Sequence, residues 1–582
     1  MKRVVVYVGL VLFLYGMVHA EGVLTAVELK DRENIAFWYA QNTTTYEFIN
    51  NYAIAELEPA QIEMLSAQGI PCSLIDETPW DKNYVIGQIP PGIEYRVTGE
   101  ILWRTDEVML IEAEPSAVSI LMDPRVSMRR MNRTPLPARF WEQLLVKRIP
   151  LRTLEWDPFV QSIVDQVSTD SLASYVQRMQ DFVTRLIFTD SSFAASQWIL
   201  EKFNSFGYDA EFDSVYLAET NYGTWPDTGY ERNVVATIEG SSNPSKHIII
   251  SGHHDAIIWP DTSVSWTSAP GADDNASGVA CALEAARIFN AYNWDPTIKF
   301  IGWTAEEVGL LGSDDYARRA DSMGMDIGAV INLDMIGYAD GGILDGNVHH
   351  RDAFSEWLSA LYYQAGQLYA PSIILYEEYW NGGSDDLSFA LRGYPAIWGA
   401  ERWYYANPHW HVVTDLLSNI NMELLTGNTK IAIATLAILG IHPAPVEDVT
   451  ASDLGTGTDL QITWSPNTEP DVIGYNIYWG TESEVYTDTG YMAGAGSSCD
   501  TLTGLMTDST YYIIVRALDT DDHESYFANE VSATPRLAPM APTGVVATPL
   551  SSGIRIDWLP NGEIDLAGYR LYRRLDDNPT YD

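Results

Sequence analysis

A chain of 582 residues is long enough for several domains, and its three cysteines, Cys72, Cys281 and Cys499, lie too far apart for a disulfide scaffold, so packed cores must stabilise it. Lys and Arg total 34 against 79 Asp and Glu, and the resulting charge of -45 excludes nucleic acid or an anionic membrane as an electrostatic partner.

Residues 1–20 read as a signal peptide. Lys2 and Arg3 form a basic start, Val4 to Met17 an apolar core, and Val18, His19 and Ala20 a small-residue cleavage site. The apolar run is shorter than the roughly 20 residues a membrane span needs. The expected location is therefore secreted, periplasmic or extracellular, with no membrane span after signal cleavage.

Residues 21–155 predict a small α+β unit, propeptide-like or accessory. AIAELEPA from Ala53 returns as MLIEAEPS from Met109, each a strand-like run leading into a helix start with proline in its first turn. Two small βα modules follow from that repeat. A propeptide of this kind would assist folding or cover an active site. The basic segment from Met128, MRRMNRTPLPARF, reads as a linker and a place for processing.

Residues 156–443 have the pattern of an α/β domain. VQRMQDFVTR and SSFAASQWILEKFNSFGY show apolar residues at helical spacing, with Gly207 at a C-cap. HIIISG, TIKFIGWTA and GAVINL are apolar strands, and each runs into polar residues: His253 and Asp255, then Glu306 and Glu307, then Asp334. Asp273 stands in GADDNASG at the start of a helix, and His411 in NPHWHVVTD. Zinc takes histidine nitrogen and carboxylate oxygen, and a catalytic site leaves a position open for water or substrate. His253, Asp273, Glu307, Asp334 and His411 are five such ligands, enough for two metals if one carboxylate bridges them. Strand carboxyl ends converge in an open parallel sheet, which would bring these residues together.

The ordered set H-x-D, GADDNASG, EE-x-GL-x-GS, N-x-D and H-x-x-x-D resembles the secreted di-zinc aminopeptidases of the bacterial leucyl aminopeptidase type, over about half of the chain. The resemblance implies a phosphorylase/hydrolase-like zinc exopeptidase domain with a mixed, mostly parallel sheet. It implies two Zn2+ ions, one on His253 and Asp334, the other on Glu307 and His411, with Asp273 bridging. It also implies Glu306 as general base and Asp255 as the group orienting His253, and it marks Asp274 as the site of a cis peptide. Where that family carries S-D-H, this chain has Ser384, Asp385 and Asp386. The expected substrates are peptide or protein N-termini. The aromatic stretch from Tyr376 to His411 suits an apolar side chain, and Glu401 is a candidate partner for the substrate amine. A zinc carboxypeptidase or a single-zinc glutaminyl cyclase on the same fold is the alternative. The carboxypeptidase would need a cation for the substrate carboxylate, for which Arg392 and Arg402 are the candidates.

Residues 444–536 alternate apolar and polar, and ITWSPNTEPDVIGYNIYWG returns as IDWLPNGEIDLAGYRLYRR. The pairs Trp464 and Trp558, and Tyr475 and Tyr569, resemble fibronectin type III sandwiches, with a tyrosine corner at Tyr511 or Tyr512 and a partial second module over 540–582. Such modules contact surfaces or polymers or act as spacers. A non-catalytic surface-binding protein is the remaining alternative.

Overall fold

The computed structural model describes residues 23–571 except 78, 80–81, 83, 89–99, 107, 113–126, 132–133, 151–152, 218–227, 260, 381–382, 403, 563–565 and 567. The signal-peptide expectation for residues 1–20 lies outside them. One compact unit runs to His442 and includes Thr468–Pro470, and a second holds the all-β segments of Pro443–Asn467 and from Asp471 on.

The first unit begins with a β-α-β-β-α-β chain: β1 (Val23–Glu28), helix Arg32–Ala40, β2 (Thr45–Ile49), β3 (Tyr52–Leu57), helix Pro59–Ala67 and β4 (Cys72–Asp76). Its sheet has the order β2-β3-β1-β4, the split arrangement of ferredoxin-like modules. Four more strands follow, β5 (Tyr84–Gln88), β6 (Glu100–Arg104), β7 (Val108–Glu112) and β8 (Ser127–Arg130), in the order β6-β7-β5-β8. Both sheets therefore run second, third, first, fourth strand. The two copies of the internal repeat, at Ala53 and Met109, fall on the third strand of each. One expectation is corrected here: the basic segment does not begin as a linker, because Met128, Arg129 and Arg130 pair with Gly87, Ile86 and Val85.

Strand alternation explains how these sheets stack. Leu24, Ala26 and Ile54 face Tyr84, Ile86, Val108 and Leu110 of the second sheet. Val27, Ala53, Ala55 and Leu57 face the other way, into a cluster with Trp38, Leu65, Phe140 and Trp141. The last two lie on helix Ala138–Leu145, after which comes a three-residue strand, β9 (Arg148–Pro150).

The central part is an eight-stranded mixed sheet of β10 (Glu211–Leu217), β11 (Gly229–Ile238), β12 (Asn243–His253), β13 (Pro296–Trp303), β14 (Asp326–Leu333), β15 (Asp345–His350), β16 (Ile374–Tyr379) and β17 (Ala396–Glu401), in the order β10-β11-β13-β12-β14-β17-β15-β16. The four central strands β13, β12, β14 and β17 are mutually parallel. Buried on both faces, they read as runs such as Ile248, Ile249 and Ile250 rather than as alternation. Helix Ala276–Phe289 lies against β12 so closely that a Cβ on Gly252 would meet the Gly278 backbone at 2.7 Å. Helix Met422–Ile441 is the one described helix long and apolar enough to cross a membrane, and it is buried within the domain.

The modular N-terminal region docks on one end of this sheet. Phe354, which follows β15, is fully buried in the Trp38, Phe140 and Trp141 cluster, and the Arg351 guanidinium donates to the Phe48 carbonyl. Arg139 donates to the Met325 carbonyl (3.2 Å) and lies 4.5 Å from the centre of the Tyr394 ring. Met325 and Tyr394 precede the parallel strands β14 and β17, while Arg351 and Phe354 follow β15, which is antiparallel to β17. These contacts sit at the end of the sheet opposite the carboxyl ends of β12, β13 and β14.

The second unit places β18 (Glu447–Asp453), β19 (Leu460–Ser465) and β22 (Cys499–Leu502) in a three-stranded sheet, and β20 (Val472–Gly480), β21 (Asp488–Ala493), β23 (Tyr511–Asp519) and β25 (Val531–Ala533) in a four-stranded one, with β24 (Phe527–Asn529) between the last two in sequence. Trp464, Tyr475, Ile462 and Ile513 share its core. The Tyr511 hydroxyl accepts from the Met506 N–H at 3.0 Å, which makes Tyr511, not Tyr512, the corner residue. A hairpin of β26 (Thr543–Leu550) and β27 (Gly553–Leu559) follows. The ring of Trp558 on β27 lies 5.1 Å from that of Tyr569, which follows the hairpin, much as Trp464 and Tyr475 lie 5.2 Å apart. Asn561 donates its N–H to Tyr569 as Asn467 does to Tyr475.

Candidate metal centre

His253 is the last residue of β12 and is 1 % exposed. Its Nε2 faces Asp274 Oδ1 at 3.2 Å, Asp334 Oδ1 at 3.4 Å and Glu306 Oε2 at 3.8 Å. His411 arrives from a loop in a left-handed conformation (φ 56°). Its Nε2 lies 2.9 Å from Glu307 Oε2 and 3.0 Å from Asp274 Oδ2. The ligand atoms thus form two groups, His253 with Asp274 and Asp334, and Asp274 with Glu307 and His411, each group lying within 4.8 Å. Asp274 belongs to both, with one oxygen toward each histidine.

This corrects the expectation for Asp273. Its Oδ1 accepts from the Gly337 N–H (2.9 Å) and its Oδ2 from Asn407 Nδ2 (3.0 Å), so neither oxygen faces a histidine. The repeated aspartate in GADDNASG hides the difference from the sequence; the backbone resolves it. The Asp415 carboxylate receives the N–H groups of Asp273 and Asp274 at 2.8 and 3.0 Å. Trp410 Nε1 donates to Asp274 Oδ2 at 2.8 Å. The peptide between Asp274 and Asn275 is cis. Asn275 then caps the following helix, accepting from the Gly278 N–H and donating to the Leu333 carbonyl, both at 2.8 Å.

Asp255 has a wider task than orienting one ring. Its carbonyl oxygen lies 3.2 Å and its carboxylate 3.4 Å from His253 Nδ1. The same carboxylate accepts the N–H groups of Glu306 (3.1 Å) and Glu307 (3.2 Å). One side chain therefore ties the end of β12 to the loop after β13. Asp334 is held through its own backbone, its N–H bonded to the Gly399 carbonyl (3.1 Å) and its carbonyl to Trp398 Nε1 (3.0 Å).

Electrostatically the pocket is a concentration of buried carboxylates. Burial, with Asp274 nearby, pushes Glu307 up to about 7 despite His411. Burial likewise holds Glu306 well above the ordinary carboxylate range. For His253 burial opposes protonation, but Asp334, Glu306, Asp255 and Asp274 outweigh it and raise the imidazole well above its usual value. His253 Nε2, Asp334 Oδ1 and Glu307 Oε1 are buried without any hydrogen-bond partner. Buried polar atoms are normally satisfied. Converging imidazole nitrogen and carboxylate oxygen are a donor set that zinc takes, and the residues present fit a metal ion.

Other expectations resolve differently. Glu401 is 1 % exposed, and its two oxygens accept from the Tyr338 N–H (2.6 Å) and Asn407 Nδ2 (3.0 Å), so it braces the pocket instead of facing a substrate amine. Arg392 pairs with Asp314 and Arg402 with Glu378. His254 packs in the core with Nε2 on the Arg232 carbonyl, held neutral by burial that lowers it to about 4. Asp385 is fully buried and pushed up to about 8, chiefly by desolvation. Asp385, Asn407, Trp410 and Asp415 carry no role by sequence; Asp385 and Asp415 stand out only as the middle residue of the S-D-H position and the closing residue of H-x-x-x-D.

Residues 233–436, which contain every ligand named above, match the model of "Peptidase family M28". The family match and the relatives support a metallo-aminopeptidase hydrolase. The chain is 25% identical over 375 residues to "Leucine aminopeptidase 1" of Fusarium vanettenii, covering 60% of this chain and 92% of that protein. It is 32% identical over 196 residues to a "Probable zinc metalloprotease" of Pyrenophora teres f. teres, 31% of this chain and 41% of that protein. The chain thus spans about two fifths of the latter's length. Among solved structures it is similar to the LapA aminopeptidase of Legionella pneumophila (TM-score 0.46, 21% identity, 62% of this chain and 99% of that one). It is also similar to the glutaminyl cyclase of Porphyromonas gingivalis (TM-score 0.41, 20% identity, 47% and 99%). The matched segment thus spans β12 to β17, the strands whose ends carry the pocket.

Proposed function

We propose that the protein is a secreted, two-zinc aminopeptidase that releases N-terminal residues from peptides. The observation that carries this reading is the pair of ligand groups sharing Asp274, with buried acceptor atoms left open on His253, Asp334 and Glu307. In it, His253 and Asp334 hold one ion, Glu307 and His411 the other, and Asp274 both. Bound there, paired cations would activate a water and stabilise the developing oxyanion.

The chain supplies the proton handling. Glu306 is next to a ligand yet outside both groups, and its backbone is fixed by Asp255. Its carboxylate takes the proton of the attacking water and returns it to the leaving amine. Burial favours that uptake, because it already makes Glu306 more basic than an exposed glutamate. The aromatic residues Trp398, Tyr404 and Trp410 stand in a row beside Asp334 and Asp274, with ring centres 4.9 and 6.1 Å apart. They suit an apolar N-terminal side chain. With Arg392 and Arg402 engaged by Asp314 and Glu378, the pocket gives no support to recognition of a substrate carboxylate.

The modular N-terminal region is read as a permanent accessory part: it shares a core with Phe354 and docks at the far end of the sheet. The second unit is read as a fibronectin type III module followed by part of another, acting as a spacer or a surface contact.

Turnover of a panel of amino-acid p-nitroanilides by the full chain, with and without a chelator, tests the main reading. Chelator-sensitive release of apolar residues is expected. Activity indifferent to the chelator, or silence across the panel in zinc-supplemented protein, would overturn it.

A further inference from the structure

Arg185 lies in the turn between helix Thr169–Gln180 and helix Asp190–Ser205, with no accessible surface. A buried guanidinium is costly, and the usual compensation is a paired carboxylate. Here all four hydrogen bonds go to carbonyls instead. Nε donates to His254 (2.7 Å), Nη1 to Met179 (3.3 Å) and Pro270 (2.5 Å), and Nη2 to Gly271 (2.8 Å).

Those carbonyls belong to the segments that deliver the ligands. His254 follows His253, and Gly271 stands three residues before Asp274. The neighbouring chain reinforces the grip, since the Val183 carbonyl accepts the Ala269 N–H (2.9 Å) and Thr184 Oγ1 donates to the Ser265 carbonyl (2.6 Å). Gly271 adopts φ +51°, and a Cβ there would lie 2.7 Å from Arg185 Nη2 and 2.4 Å from the Asp274 carbonyl. The fork and the loop are therefore fitted to one another.

We infer that Arg185 is a positioning residue for the metal pair: its planar fork fixes the end of β12 and the loop before Asp274 in one register, so that His253 and Asp274 meet before any ion arrives. The inference rests on the two-zinc reading above. Its geometric and electrostatic consequences have opposite signs, which makes it testable. Asp415, Asp255, Asp274 and Glu307 all lie within the field of the guanidinium. By charge alone a nearby cation repels zinc, and removing it would tighten binding. As a clamp, Arg185 helps binding, and removing it loosens the site. Lysine keeps the charge but not the rigid bidentate geometry.

The test is zinc binding by the full-length wild type, R185K and R185M, measured by competition with a chromophoric chelator, with thermal midpoints of each protein with and without zinc. Both variants are expected to bind zinc about 10- to 100-fold more weakly, the range for loss of a group that orients ligands, and to gain less in midpoint on zinc addition. A merely structural role would lower the midpoint of zinc-free and zinc-bound protein equally and leave affinity unchanged. That result, or tighter binding by R185M, would overturn the inference. R185K, which retains a buried cation, serves if R185M does not fold. Wild type that binds no zinc would instead overturn the two-zinc reading itself.

Discussion

Asp273 and Asp274 are neighbours in the chain, yet the first is bonded to Gly337 and Asn407 and the second to His411 and Trp410. The two positions should therefore respond very differently to the same substitution. D274N removes the charge shared by both ligand groups. It is expected to lose both ions and, since paired cations supply several kcal/mol of charge stabilisation, roughly 10³-fold or more in kcat/KM. D273N alters a supporting contact only and is expected to keep two ions with a loss of about 10- to 100-fold. Metal content by mass spectrometry beside kcat/KM separates the two; equal loss in both variants would contradict the assignment.

Glu306 gives a sharper separation of chemistry from ligation. E306Q preserves the side-chain volume, and Glu306 is a member of neither ligand group. Two ions should remain bound while kcat falls by about 10²- to 10⁴-fold, the usual contribution of a general base. Loss of an ion in E306Q would mean that the residue is a ligand.

Removing the ions should destabilise the fold. The open carboxylate oxygens of Asp334 and Glu307 are then buried among other carboxylates. Zinc at about a thousand times its dissociation constant should stabilise the native state by about 4 kcal/mol. Denaturant melts with chelator and with zinc measure this, and coincident curves would argue against a tight site.

The docking of the N-terminal modules predicts an enzyme that works uncut. Phe354 is fully buried against Phe140, with ring centres 5.8 Å apart. F354A should cost about 3–5 kcal/mol of stability with kcat/KM unchanged at temperatures where the protein stays folded. Full-length protein carrying both modules should turn over without processing. Activity that rises tenfold on proteolytic removal of the modules would restore the inhibitory reading.

Glu231 sets a pH dependence of its own. It is 1 % exposed, accepts from the Phe188 N–H at 2.5 Å, and burial raises it from an ordinary 4.5 to about 7. Because the folded state holds this proton more tightly than the unfolded state, stability falls as pH rises between those values. The penalty approaches about 3 kcal/mol above pH 7. E231Q should match wild type near pH 4 and exceed it at pH 8, as followed by denaturant midpoint.

Much of this was readable from residues alone, for reasons that particular segments make plain. Apolar runs ending in His253, Glu307 and Asp334 are buried strands of a parallel sheet, so their ends had to converge. The repeat at Ala53 and Met109 announced duplicated modules because third strands of two identical topologies need the same pattern. What was not readable depends on backbone direction. Which of two adjacent aspartates faces the histidines is decided by Asp415 gripping both N–H groups, 141 and 142 residues away in sequence. Glu401 looked available because it lies near His411, and only its bonds to Tyr338 and Asn407 show that it is occupied. The Met128 segment looked like a linker because its charges mask a strand pairing with β5.

His253 and His411 are separated by 158 positions in the chain, and Asp274 touches both rings. No fragment that folds early can assemble that meeting point, since contacts between distant segments form late and slowly. On the two-zinc proposal, an ion bound at stoichiometry would report that the end of β12 and the loop carrying His411 have come together on Asp274.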